Sequence, residues 1–162
     1  MLAFAGTLGS LYLSMGMGLK ACPLCFYQRT FVMAVLAVLV MGSLADWTQG
    51  GLFCLLCVPL AVGGLGVAAF HEYLVVTGKL ECPQALLGLG TAPEQSLAMF
   101  AALTLAVLWC ARTKLAWIPG GVLLGLVLAW GCVASAPPMP PAPKEPYKQP
   151  LDICRVPFRG VE

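Results

Sequence analysis

Lys20 to Arg29 reads KACPLCFYQR and is the stretch of this chain best suited to covalent chemistry. Cys22 and Cys25 enclose Pro23 and Leu24, and Arg29 follows one helical turn beyond Cys25. Proline is favoured at the first position of a helix, so Cys22 falls near an N-cap and Cys25 about one turn in. A helix start favours negative charge, and thiolates there have depressed pKa values. Arg29 shares the helix face of Cys25 and is expected to steady a thiolate or an anionic ligand beside it. The pair reads as a redox couple. Zinc is the rival reading, and it needs two further ligands, which Cys82 and Cys154 would have to supply.

The other cysteines sort by surroundings. Cys54 and Cys57, in FCLLCVPL, repeat the Cys-x-x-Cys spacing inside an apolar run. At 1.5 Å rise per residue, Cys54 lies about 25 Å from His71 at the other end of the same helix. No basic neighbour or helix start activates it, so Cys54, Cys57 and Cys110 are expected to be free, buried, small hydrophobes. Cys82, in KLECPQ, and Cys154, in LDICRVPF, sit in polar surroundings with no local partner. They most simply bond to each other, and the extended tail can span roughly 50 Å to bring them together. Such a bridge would be exposed and labile. Cys132, about one turn from the same face, is the rival partner for either. His71 is the only histidine. It serves either as an interface anchor or as a hydrogen-bond partner for a flat, carbonyl-bearing ligand such as a quinone, with Arg29 across from it.

What must position these groups is membrane-embedded. Of 162 residues, 60% are hydrophobic and 10% charged, and the mean hydropathy is +0.89. A soluble domain is about a quarter charged, so lipid is the solvent for most of this chain. A net charge of +2 gives no case for nucleic acid. Five apolar spans are expected at 1–19, 26–45, 51–77, 96–111 and 115–136, the fourth of them short. All should be helices, since lipid offers backbone groups no partner and the runs lack barrel alternation. Gly63, Gly64 and Gly66 suit close helix contacts. Residues 137–162 form a proline-rich tail carrying Cys154, extended rather than helical. The first span lacks the basic region of a signal peptide, and the abrupt start at Met1 leaves room for residues before it. Alternating connections place Cys22, Cys25, Cys82 and Cys154 on one membrane face. Counting only short loops, the positive-inside rule does not decide which face is cytoplasmic.

CPLCFYQR resembles the C-x-L-C-x-Y-x-R signature of the disulfide bond formation protein B (DsbB) family, and AAFHEYL is similar to its histidine-bearing segment. The resemblance implies an all-α, polytopic four-helix bundle, here with a fifth transmembrane helix, in the bacterial inner membrane with its redox cysteines facing the periplasm. It implies a relay from a DsbA-type thioredoxin-fold protein, through an outer cysteine pair and then the Cys-x-x-Cys, to ubiquinone or menaquinone, with no metal. Cys22 would exchange with the outer pair, Cys25 would face the quinone, and Arg29 and His71 would flank it. One departure is evident: the family holds both outer cysteines between its third and fourth spans, whereas here that connection holds Cys82 alone. Competing readings are a vitamin K epoxide reductase-like enzyme, whose redox motif comes late rather than early, a metal-binding membrane module using Cys22, Cys25, Cys82 and Cys154, and a structural subunit.

Overall fold

A computed structural model of the protein describes residues 1–45, 47–88, 90–138 and 151–158. Its helices are α1 (Leu2–Met15), α2 (Pro23–Ala45), α3 (Gly50–Val76), α4 (Ala92–Cys110) and α5 (Ile118–Ser135). Among the described residues, β structure amounts to two isolated bridges. The proline run expected to be extended lies, from residue 139 to 150, outside the described residues.

The helix ends follow local chemistry. Pro23 opens α2, as its fixed φ and missing N–H allow. The expected first span is helical only to Met15, where Gly16 caps on the Tyr12 carbonyl and Gly18 turns at φ 68°. With 14 residues, α1 is about 21 Å long, short of a hydrocarbon core of about 30 Å. By contrast α4 begins four residues earlier than the apolar run. Thr91 accepts from the Glu94 N–H while the Glu94 carboxylate accepts from the Thr91 N–H, a reciprocal capping box.

Pro23–Ala45, Gly50–Val76 and the tract Ala92–Ser135 are long and apolar enough to cross a membrane. That last tract is two antiparallel helices. A 3₁₀ segment, Ala111–Trp117, joins them, and non-helical Lys114 breaks the axis. Contacts made by glycines give the directions. Gly121 meets Val58, Gly125 meets Val62 and Gly66 meets Ala129, so α5 runs parallel to α3. Gly64 against Phe100 with Cys54 beside Cys110 makes α4 antiparallel to α3, and Gly63 against Phe31 with Gly42 against Phe53 does the same for α2. The glycines of α3 therefore face three different helices, each admitting close approach. A Cβ on Gly125 would lie 2.7 Å from Val62 Cβ and 2.8 Å from the Pro59 carbonyl. Thus α3 is the centre of the bundle, and its buried surface includes Cys57, Val58, Ala61, Val67, Ala68 and His71.

Candidate redox site

The site lies where α2 begins and α3 ends, and two connections close over it. At its base Cys22 and His71 are wholly buried. The tail returns to this end through Asp152. Its carbonyl accepts from the Lys20 N–H at 2.8 Å, and its carboxylate pairs with Lys20 at 3.0 Å and with Arg155 at 2.7 Å. Lys20, hydrogen-bonded to the carboxylate, holds Asp152 below its ordinary range. Glu81 and Arg155 exchange backbone hydrogen bonds at 2.8 and 2.9 Å, aligning the tail with the α3–α4 connection. One residue along from each, Cys82 is bonded to Cys154. This is the simplest pairing expected from the sequence, and the rival Cys132 is free and half-buried. The bond is less exposed than expected, because Cys154 is buried and Cys82 half-buried.

Cys22 and Cys25 are free, their sulfurs 2.9 Å apart, and the Cys25 N–H donates to Cys22 Sγ at 3.2 Å. The Sγ atoms of Cys22, Cys25 and Cys154 and a ring nitrogen of His71 lie within 4.8 Å of one another. The two free thiols and the Cys82–Cys154 disulfide thus meet around one imidazole. The side-chain hydrogen bond with Cys25 is the main influence lowering Cys22; burial opposes it, and His71 adds to it, giving about 5. A stabilised thiolate stabilises the reduced pair and so makes it a readier electron acceptor. The folded value lies below that of an ordinary thiol, about 8.5. This contribution is therefore complete above the ordinary value and is lost as pH falls through about 5. With the inner pair reduced, ultraviolet thiolate absorbance should titrate with one midpoint near pH 5. A midpoint in the ordinary thiol range would show that Cys22 is not stabilised.

The hydrogen bonds of Arg29 go to α1. Its Nε donates to Ser10 Oγ at 2.9 Å, and its Nη2 donates to the Ser10 carbonyl at 3.0 Å and to Ser14 Oγ. It ties α1 to α2 instead of hydrogen-bonding Cys25. It still borders, with Cys25, a cavity of about 180 Å³ between α1, α2 and α4. Gln28, Gln95 and Ser96 add polar groups to this cavity, while Val32, Met99 and Phe100 supply apolar wall. His71 is absent from that wall. Gln28 stands between, its amide 3.3 Å from His71 Nδ1 and its Oε1 accepting from Ser96 at 2.6 Å. Gln28 and Ser96 were not foreseen. Their signal was available, a lone amide in an apolar α2 and a TAPE capping box that starts α4 before Ser96.

Two cysteine expectations are corrected. Cys54 and Cys110 are not free hydrophobes but are bonded to each other at the far end of α3 and α4. The antiparallel register that sets Gly64 against Phe100 carries Cys54 to Cys110 ten residues further along each helix. Cys57 is free and buried, as expected. Because Cys82 and Cys154 are bonded, a four-thiolate metal centre loses two of its ligands, leaving Cys22, Cys25 and His71 as donors.

Comparison with known proteins agrees with this geometry. The family model described as "Disulfide bond formation protein DsbB" matches residues 1–95, from α1 into the start of α4. A probable disulfide formation protein of Chlamydia trachomatis serovar D is 29% identical over 119 residues, covering 67% of this chain and 86% of the relative. Disulfide bond formation protein B of Methylococcus capsulatus is 32% identical over 82 residues, 49% of this chain and 50% of that protein's length. No solved structure matches the chain. The matched region holds Cys22, Cys25, His71 and Cys82 and more than half of the chain, and these residues converge on a fourth cysteine delivered by the tail: the chain belongs to the DsbB family of membrane disulfide-bond oxidoreductases.

Proposed function

We propose that this protein is a thiol:quinone oxidoreductase that reoxidises a DsbA-type thioredoxin-fold protein on the periplasmic side of the bacterial inner membrane. The observation that carries the reading is the meeting of Cys22, Cys25, Cys154 and His71 within 4.8 Å beside the bonded Cys82–Cys154 pair. Cys82 is the more accessible sulfur of the outer pair. A partner thiolate attacks Cys82, the Cys82–Cys154 bond breaks, and Cys154 leaves as a thiolate. The partner's second thiolate then closes the partner's own disulfide and releases Cys82. Two electrons now reside on the outer pair. Cys154 attacks Cys22 of an oxidised Cys22–Cys25 pair and expels Cys25. Cys82 then attacks Cys154 and frees Cys22, which restores the outer disulfide and leaves the inner pair reduced. This final arrangement of bonds is the one described above.

A ubiquinone or menaquinone beside Cys25 would supply the two-electron acceptor. The chain's residues suit one: the cavity at Cys25 has apolar walls for a ring, with the second amide N–H of Gln28 and of Gln95 able to meet its carbonyls and Arg29 at its border. In this reading His71 supports that ligand through Gln28 and not by direct contact.

The test is anaerobic mixing of the full chain in detergent or nanodiscs with a reduced DsbA-type protein and a short-chain quinone. One quinol should form for each partner disulfide made. Partner oxidation without quinol would refute the acceptor, and no partner oxidation would refute the relay.

A further inference from the structure

We propose that His71 is a catalytic residue of the exchange between the two cysteine pairs, its Nε2–H holding negative charge on the Cys82 and Cys22 sulfurs in turn, with Gln28 and Ser96 as positioning residues that fix the ring's tautomer. The inference rests on the two-pair relay proposed above.

The chain of hydrogen bonds sets the proton. Ser96 donates its hydroxyl to Gln28 Oε1 at 2.6 Å, which leaves the Gln28 amide nitrogen facing His71 Nδ1 at 3.3 Å. An amide NH₂ only donates, so Nδ1 must accept, and a neutral ring then carries its proton on Nε2. Nε2 lies 3.5 Å from Cys82 Sγ and 3.8 Å from Cys22 Sγ.

Those two sulfurs are the ones that need a donor. In the last thiol step Cys82 attacks Cys154 of the Cys154–Cys22 mixed disulfide. The Cys82–Cys154 bond forms, the Cys154–Cys22 bond breaks, and the electron pair ends on Cys22. Charge in such an exchange sits on the entering and leaving sulfurs, at the two ends of a three-sulfur array. Here the ends are Cys82 and Cys22, and a single N–H reaches both. In a site where Cys22 and His71 are wholly buried, a fixed donor needs no solvent rearrangement.

Because His71 is the only histidine, ¹⁵N-histidine labelling of the full chain yields one ring. With the outer pair bonded and the inner pair reduced, the neutral ring should carry its proton on Nε2 and leave Nδ1 bare. A proton on Nδ1 would overturn the assignment. The rate is tested in quinone-free protein with both pairs initially oxidised, using dithiothreitol as donor and alkylation of Cys25 as the readout. His71→Asn cannot reach the sulfurs and should slow transfer about 100-fold. His71→Gln, whose amide nitrogen reaches close to the Nε2 position, should recover all but about tenfold of that loss. Transfer at the unmodified rate in His71→Asn, or equal slowing in both variants, would defeat the role given to His71. Absence of transfer in the unmodified protein would defeat the relay itself.

Discussion

Cys25→Ala abolishes quinol formation, whereas Cys57→Ala leaves it within about twofold of the unmodified protein, as expected for a surface-remote buried thiol. The two residues belong to identical Cys-x-x-Cys spacings, and position separates them. Cys25 borders the cavity at the start of α2 with its sulfur 2.9 Å from Cys22. Cys57 is buried on α3 facing the Val35 carbonyl of α2, about 20 Å along the helix from His71. Loss of the Cys25 thiol leaves Cys22 with no partner to form the inner disulfide, so no oxidised state exists for the outer pair to discharge into. The measurement is anaerobic quinone absorbance with a reduced DsbA-type protein. Comparable losses from both substitutions would mean that Cys57 takes part in the electron path, contrary to its assignment as an inert thiol.

The second large effect concerns the outer pair. Cys154→Ala should accumulate a mixed disulfide when mixed with a DsbA-type protein that keeps only its first active-site cysteine, supplied as a mixed disulfide with thionitrobenzoate that Cys82 expels, whereas Cys82→Ala should give almost none. The asymmetry follows from burial: Cys154 is 5% exposed and packed against the inner pair, while Cys82 is half-buried and open to a docking partner. With no second thiol in the partner and no Cys154 in this chain, neither of the two groups that release the partner from Cys82 is present, and the adduct persists. Intact-mass analysis under non-reducing conditions, with and without dithiothreitol, reports it. A more abundant adduct on Cys154 in Cys82→Ala would reverse the proposed order of attack.

Composition alone made this chain a helical membrane protein, because so few charges cannot clothe a water-facing surface and lipid leaves the backbone no partners outside a helix. The helix start at Pro23, with Cys22 just before it and Cys25 in its first turn, was equally legible. Glycines in α3 suited close packing, and Cys82–Cys154 was the simplest pairing because both cysteines lie in polar connections on one face, with Cys132 left open as a rival until the structure showed it free.

Register and neighbours belonged to the tertiary structure. The Cys54–Cys110 bond depends on how two almost uniformly apolar helices slide against each other, and such helices carry no periodicity from which to read their register. Arg29 pointing to Ser10 and Ser14 depends on α1 packing against α2, a contact between segments that share no motif. His71 turning toward sulfur, with Gln28 and Ser96 between it and the cavity, required three helices to meet at one depth. A sequence states which atoms are reactive through local helix geometry. Which reactive atoms touch is decided by long-range packing, and in this protein that packing puts Cys25 at the cavity while Gln28 holds His71 back from it.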